Sequence, residues 1–455
     1  MKAIILAVGQ GKGMRSNLQK ILYPILGKSV VQYVIEAVLF AGIEDITVVV
    51  GSDSEKIAAE LKYVYPQLHF AIQEKPLGTG NAVQAVMGRI NDNDDVLILY
   101  GDMPLITIEF IRELREFYGK NSSKAVVVAA YYPELGDLGR VYIDVDGFFQ
   151  EIIEYKDVKL DTPPTEWINT GIYVFKGGAL KQGLAKIDTN SNQNEYYLTD
   201  VPKILREDDL DVYVFESRAD MILFTGINTQ IQLAEAVCHM RNRINTKHML
   251  NGVRMIDPAT VYIDDIVDIE SGTVIYPNVL LEGNCKISTD VTIGANSHLK
   301  NADIGTGVEI QQSVIVNSTV GAGTTVGPFA YLREGAQVGE ACRIGNFVEI
   351  KKSNIGDGTK AAHLAYIGDA DVGKNVNYSC GAITANYDGK KKHRTVIGDN
   401  VFIGSNSNLI APVKVGDRAL VAAGSTITDD LQSDSLGIAR ARQVEKLGWV
   451  KTKKS

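Results

Sequence analysis

Residues 338–373 read VGEACRIGNFVEIKKSNIGDGTKAAHLAYIGDADVG, and this stretch decides the fold of the second half of the chain. An aliphatic residue, often followed by glycine, recurs every six positions, with a step of five twice: Val338-Gly339, Ile344-Gly345, Ile350, then Ile355-Gly356, Ala361, Ile367-Gly368 and Val372-Gly373. The pattern resumes as Ile397-Gly398, Ile403-Gly404, Leu409, Val415-Gly416, Val421 and Ile427. Four residues after most of these stands a small or β-branched one: Thr359, Ala365, Val376, Val401, Ser407, Val413, Ala419 and Ser425. In a parallel β-helix a period of six means one flat face of a triangular coil per hexapeptide, so that about eighteen residues close a coil. The aliphatic residue stacks inside, the small one fits the corner, and glycine admits the tight turn. A β-sandwich with regular turns does not hold such a phase for so long. The spacing predicts a left-handed parallel β-helix after Asp257.

Two breaks interrupt it. The phase slips around 301–318, and an insertion, Asn386-Tyr387-Asp388-Gly389-Lys390-Lys391-Lys392-His393-Arg394, separates two coils. A solenoid accommodates an insertion as an outward loop, a usual place for function. Upstream, residues 229–250 read as one helix with Ile231, Leu233, Ala234, Val237 and Ile244 as its apolar stripe. Before it, short β-branched runs (3–8, 46–50, 96–100, 125–130) alternate with amphipathic segments such as 30–40 and 108–118. This is the βαβ grammar of a mostly parallel, doubly wound sheet, whose ligands lie beyond the C-terminal ends of strands. The expected division is a domain 1–229, a linker helix 230–250 and a domain 251–455.

A chain of 455 residues, 45% hydrophobic and 22% charged, is globular and too long for one ordinary core. Its formal net charge of −9 argues against a nucleic-acid partner but leaves room for small anions, which need only local cations and backbone N–H groups. Cys238, Cys285, Cys342 and Cys380 form no CxxC or Cys/His cluster, which points to a reducing compartment and away from zinc. The apolar run at the start is too short for a signal peptide, and no segment approaches the ~18 apolar residues of a membrane span. The expectation is a cytoplasmic protein.

Leu6-Ala7-Val8-Gly9-Gln10-Gly11-Lys12-Gly13-Met14-Arg15 follows the first strand, with Lys20 beyond it. Such a glycine-rich loop exposes N–H groups to phosphates, although alone it also reads as a plain turn. It matches neither the dinucleotide fingerprint nor the P-loop. Tyr100-Gly101-Asp102-Met103-Pro104 ends an apolar strand, so Asp102 either meets a phosphate-bound metal or caps a helix. Gln73 precedes a second tight loop, Leu77-Gly78-Thr79-Gly80; Asn169-Thr170-Gly171 opens another strand, and Gly226-Ile227-Asn228 closes the domain.

Together these motifs resemble the sugar-1-phosphate nucleotidyltransferases. With the β-helix, the resemblance narrows to the bacterial bifunctional N-acetylglucosamine-1-phosphate uridyltransferase/glucosamine-1-phosphate acetyltransferase family, over nearly the whole chain. The implied fold class is α/β, a Rossmann-like nucleotidyltransferase domain followed by a left-handed parallel β-helix of hexapeptide repeats. The resemblance implies that Leu6, Ala7, Gly9, Gly11, Lys20, Gln73, Gly78, Thr79, Tyr100, Gly101, Gly139, Glu154, Asn169, Thr170 and Asn228 hold UTP and the amino sugar. Gly9, Gly11 and Lys20 would lie on the phosphates, and Gln73, Gly78 and Thr79 on the uracil. Asp102 and Asn228 would bind Mg²⁺. A sugar phosphate oxygen attacks the α-phosphorus of UTP and pyrophosphate leaves, which requires positioning and charge neutralisation rather than a protein nucleophile. The loop departs from the family's Gly-x-Gly-Thr-Arg, because Lys12-Gly13 occupy the Thr-Arg positions. Lys12 or Arg15 is then the expected source of the missing cation. Gln19 stands where a proline precedes the lysine, and Asn81 replaces a usual histidine.

Residues 332–441 are similar to the acetyltransferase half of that family. The resemblance implies that Arg333, Lys351, Tyr366 and Asn377 hold glucosamine-1-phosphate, and that Asn386, Tyr387, Ser405, Ala423 and Arg440 contact acetyl-CoA. His363 is the candidate general base, though an isolated histidine is more often structural. An ordinary ring pKa near ~6.5 suits removal of a proton from a sugar ammonium, after which the amine attacks the thioester. Lys390-Lys391-Lys392 is a solvated loop face or a contact to the CoA phosphates of a neighbouring chain, since enzymes of this kind act as homotrimers with sites between β-helices. Their product feeds cell-envelope precursors such as peptidoglycan. The alternative is a single-activity sugar nucleotidyltransferase whose β-helix is structural or regulatory. The cluster His363, Tyr366, Asn386 and Tyr387 argues against it, because a structural solenoid does not need it.

Overall fold

Ile4, Ile5 and Leu6 are buried because their strand, Lys2–Leu6, is central: it pairs in parallel with Asp45–Gly51 on one side and Asp95–Tyr100 on the other. The computed structural model describes residues 1–9, 12–16, 18–52, 55–121, 123–133, 138–155, 158, 162–188 and 195–452. Contacts divide the chain into two units, Met1–Met240 and Arg241–Ser455.

The first unit's sheet runs Val212–Ser217, Ala125–Tyr131, Trp167–Lys176, Asp95–Tyr100, Lys2–Leu6, Asp45–Gly51, His69–Gln73. It is parallel except for Trp167–Lys176, which is antiparallel to both neighbours. Successive side chains alternate between two cores. Ile5, Val48, Leu97 and Val126 pack with the helices Val30–Phe40 and Ile108–Asn121, while Ile4, Val49, Ile98 and Val127 pack with Leu180, Val201 and Leu205 of Gly177–Leu184 and Val201–Glu207. A hairpin, Arg140–Ile143 with Phe149–Ile153, extends from the antiparallel strand. Asn169-Thr170-Gly171 does not open that strand. It lies inside it, where the register shifts between Asn169 and Tyr173 and Gly171 takes φ 74°. A glycine that makes a bulge looks, in sequence, like a boundary.

The helix Gln230–Leu250 spans the division between the units. Ile244 is buried as the stripe expects, but Ile231 and Ala234 are exposed, and the other buried positions are Ala236, Met240, Asn245 and His248. The apolar stripe therefore misjudges the packed face, because two of its members are polar and find their partners only in the folded chain.

In the second unit three parallel ladders form the faces of a β-helix. One runs Ile344, Ala361, Tyr378, Ile403, Val421; a second Leu332, Ile350, Ile367; the third Val338, Ile355, Val372, Ile397, Val415. These inward residues are all buried. The corner positions are buried too, and their hydroxyls close the turns: Thr359 Oγ1 donates to Gly373 O at 2.8 Å and accepts from Val376 N at 3.0 Å. Tyr378 takes an aliphatic position, with the small Ala361 stacked against it to make room. The phase slip is a shortening of coils. Leu281 lies on Leu299, eighteen residues on, but Leu299 lies on Ile315, sixteen on. The insertion lengthens one coil, so that Val372 pairs with Ile397, twenty-five on.

Candidate active sites

Leu6 is in register with Tyr100, and Gly101 N donates to Leu6 O at 2.9 Å, so the glycine loop and the end of the apolar strand lie side by side. Lys20 crosses between them. Its Nζ pairs with the Asp102 carboxylate and donates to Asn228 Oδ1 at 2.9 Å. The Lys20 and Asp102 side chains are only 14% and 13% exposed. Glycines make this approach possible: a Cβ on Gly226 would lie 3.2 Å from both Asp102 oxygens, and one on Gly9 would lie 3.1 Å from Lys20 Cε. Leu6 and Ala7 are buried beneath. Gly11 lies outside the described residues, as does the side chain of Lys12.

Gly13 has a structural cause. A Cβ there would overlap the carbonyl oxygen of Asn228. The family's arginine does not fit this backbone, and Arg15, in left-handed conformation at φ 48°, is exposed. The cation that the described residues place beside this loop is Lys20.

A cavity of about 570 Å³ beside the Lys20–Asp102 pair is lined by Thr79, Tyr100, Asp102, Gly139, Glu154, Asn169, Thr170 and Asn228. It also takes in Tyr197, Thr199, Met221 and Phe224, which no motif marks in the sequence. Gly171 lies against the Tyr100 ring, where no Cβ fits, and burial pushes the Tyr100 phenol up to about 12. The Leu77–Gly80 loop is clasped from outside: Gly80 N donates to Tyr196 O and Tyr196 N to Leu77 O, each at 2.8 Å. Gly78, at φ 95°, admits no side chain because a Cβ would sit 2.5 Å from Tyr196 O. A second cavity, about 420 Å³, is lined by Gln73, Leu77 and Asn81.

In the second unit, pairing stacks the chemistry. Asn346 lies on His363. The same offset from Ala361 on Tyr378 carries His363 onto Cys380, and that from Tyr378 on Ile403 carries Cys380 onto Ser405, with Ala423 next. One corner therefore presents Asn346, His363, Cys380, Ser405 and Ala423 in consecutive coils, with the Arg440 chain close to Gly424. His363 is exposed, and its Nδ1 is 2.9 Å from Asn346 Oδ1. Asn346 and Cys380 lie between recognised positions, yet nothing in their spacing singles them out.

On the adjoining face Arg333, Lys351 and Gly368 are in register, as are Glu349 and Tyr366. Glu334 bridges the two cations, 2.5 Å from Arg333 Nη1 and 3.3 Å from Lys351 Nζ, while Glu349 is 2.7 Å from Arg333 Nη2. Lys392 comes from the insertion to Lys351, whose hydrogen bond and like charge push its ammonium below the usual lysine range. Asn386 is buried and donates to Asp369 at 2.5 Å and to Tyr366 Oη at 3.4 Å, whereas Tyr387 is exposed. The insertion is pinned by Asp388, which accepts from Lys390 N and Lys391 N at 2.7 Å each and faces His393 Nε2 at 2.7 Å; these donors hold its carboxyl down at about 2. Asn377 is exposed on the preceding face of the same coil as Cys380.

Residues 3–138 match the MobA-like NTP transferase domain, and residues 317–352 and 394–429 match the bacterial transferase hexapeptide (six repeats). The chain is 43% identical over 452 residues to the Bifunctional protein GlmU of Clostridioides difficile (strain 630), covering 99% of this chain and 98% of that one. It is 46% identical over 451 residues to that of Geobacillus sp. (strain WCH70), covering 98% and 97%. It is 44% identical over 452 residues to that of Clostridium novyi (strain NT), covering 99% and 98%. With both units matched end to end, the chain belongs to the bifunctional GlmU family, in which a nucleotidyltransferase unit and a hexapeptide-repeat acyltransferase unit share one polypeptide.

Proposed function

We propose that acetyl transfer from acetyl-CoA to glucosamine-1-phosphate takes place at the corner column around His363, and that uridylyl transfer from UTP to the acetylated product takes place in the cavity beside Lys20 and Asp102. The observation that carries the acetyl reading is the His363–Asn346 bond next to a cluster of three cations. With Nδ1–H donated to Asn346, Nε2 keeps its lone pair and accepts the proton of the substrate ammonium. The amine then attacks the thioester carbonyl carbon; as the adduct collapses to the amide the C–S bond breaks, and the departing CoA thiolate takes up the second proton that the nitrogen loses. Arg333, Lys351 and Lys392 suit a phosphate dianion, which would take the place that the Glu334 carboxylate now holds between the first two. Ser405, Ala423 and Arg440 continue the column and would take the CoA, with Arg440 on its phosphates.

In the first unit Gly9 and Lys20 would meet the triphosphate, Glu154, Asn169 and Thr170 the sugar, and Gln73 and Gly78 the base. The phosphate oxygen of the sugar attacks the α-phosphorus in line and pyrophosphate departs. Asp102 and Asn228 offer two oxygens that already converge on one cation, Lys20 Nζ, which fits a hard, oxygen-preferring Mg²⁺. Bound there, the ion would neutralise charge building on the phosphates.

A homotrimer is supported by an exposed apolar ledge beside His363. Phe329, Phe347 and Leu364 are 51%, 56% and 58% exposed, and the two rings stack at 5.4 Å. No disulfide joins Cys238, Cys285, Cys342 or Cys380, which suits a reducing, cytoplasmic setting. Among the described residues no helix is long and apolar enough to cross a membrane. The test is a pair of assays on one preparation, CoA release and UTP-dependent pyrophosphate release. His363→Ala should remove the first alone and Asp102→Ala the second alone; loss of both in either variant would contradict two separate sites.

A further inference from the structure

Gln73 ends the strand His69–Gln73 and is buried, 6% exposed, at the edge of the 420 Å³ cavity. Its side-chain nitrogen donates to Gly78 O at 2.9 Å and to Asn81 Oδ1 at 3.0 Å. A backbone carbonyl can only accept, so Gly78 dictates which end of the Gln73 amide is nitrogen. Asn81 Nδ2 donates in turn to Gln84 Oε1 at 3.5 Å, and Gln84 Nε2 to the carbonyl of Leu184 at 3.4 Å. Three side-chain amides thus run in one hydrogen-bond direction between two backbone carbonyls. Gln73 spends both N–H groups internally, and among the described residues none donates to its Oε1.

We propose that Asn81 is a positioning residue that keeps Gln73 Oε1 available as an acceptor for the nucleobase, so that the site selects a ring N–H, as in the imide edge of uracil, over the bare ring N3 of cytosine. The proposal rests on the reading that Gln73 holds the base. A site with a fixed acceptor rejects a base that presents another acceptor, because both lone pairs are then left unpaired. The departure from the family's histidine acquires a purpose. An imidazole presents a donor or an acceptor according to tautomer and charge, and once protonated it can only donate. An amide anchored by carbonyls does not titrate.

The experiment measures pyrophosphate release with UTP and with CTP for the full chain and for Asn81→Ala, Asn81→Leu, Asn81→Asp, Asn81→His and Gln73→Ala, with CoA release as the folding control. Asn81→Ala and Asn81→Leu should raise KM for UTP by about tenfold, leave kcat within about twofold, and reduce the UTP-over-CTP preference by about tenfold. Asn81→Asp keeps an acceptor oxygen and should restore most of the preference. In Asn81→His the preference should fall as pH drops below about 6.5, while the native chain shows no such dependence. An unchanged KM and preference in Asn81→Ala and Asn81→Leu overturns the relay, and so does an Asn81→Asp variant as impaired as they are. If Gln73→Ala leaves KM for UTP unaltered, the reading of Gln73 as a base ligand fails, and the relay with it.

Discussion

His363 is exposed, and its bond to Asn346 is what separates it from an ordinary surface histidine. His363→Ala should lower CoA release by about 10²–10⁴-fold without touching pyrophosphate release. Asn346→Ala removes the orientation but not the base, so a smaller loss of about tenfold with an altered pH–rate profile is expected; an unchanged profile would mean that Asn346 does not hold the ring. Gly13 reverses an expectation drawn from the family pattern. Restoring arginine there does not restore a cation, because the side chain must push aside Asn228, itself a candidate metal ligand. Gly13→Arg should slow pyrophosphate release by at least about tenfold, and a faster variant would show that the loop rearranges. Glu334 already occupies the space between Arg333 and Lys351. Substrate phosphate must displace it, so Glu334→Gln should lower KM for glucosamine-1-phosphate severalfold in the CoA-release assay, and a raised KM would assign Glu334 to support instead.

The elements owe their stability to partners that a periodicity search does not weigh. His248, at the end of the long helix, is buried, and desolvation lowers its pKa. The folded chain holds the ring neutral, whereas the unfolded chain takes up a proton near ~6.5. Its contribution is therefore complete above that pH and is lost as pH falls through the lowered folded value. Scanning calorimetry should show the second unit melting at lower temperature at pH 5 than at pH 7, with His248→Gln flattening the difference; parallel curves would mean the ring is not the titrating group. Thr359 makes the same point in the β-helix. It fits a corner by size, but its hydroxyl also satisfies two backbone groups, so the near-isosteric Thr359→Val should cost about 1–3 kcal/mol.

At the scale of the whole molecule, the boundary matters for any attempt to separate the activities. A fragment beginning at residue 251 omits Ile244, Asn245 and His248, all buried, and breaks the Asn245 bonds to Pro258 O at 2.9 Å and Val261 O at 3.0 Å. Residues 230–455 should therefore form a stable trimer that releases CoA, while 251–455 should melt several degrees lower. Light scattering and calorimetry on the two fragments distinguish these outcomes, and equal melting temperatures would return the boundary to residue 250.

What repeats along one dimension was legible without coordinates. The inward positions 344, 350, 361, 367 and 372 follow from period six, and the strands 2–6 and 95–100 from β-branched runs, since burial on a regular element imposes its own spacing. Glycine motifs located the two tight loops for the same reason: a close approach excludes side chains whatever surrounds it. Convergence was not legible. Lys20, Asp102 and Asn228 meet across more than two hundred residues, Tyr197 and Phe224 enter the cavity unmarked, and Asn346 reaches His363 because one coil is stacked on the next. Whether Gly13 is a lost arginine or a necessary gap depends on a carbonyl from the far end of the same unit. Such contacts are set by how elements pack, which no local pattern encodes; the sequence by itself determined the elements and their chemistry, and the tertiary structure decided which groups face one another.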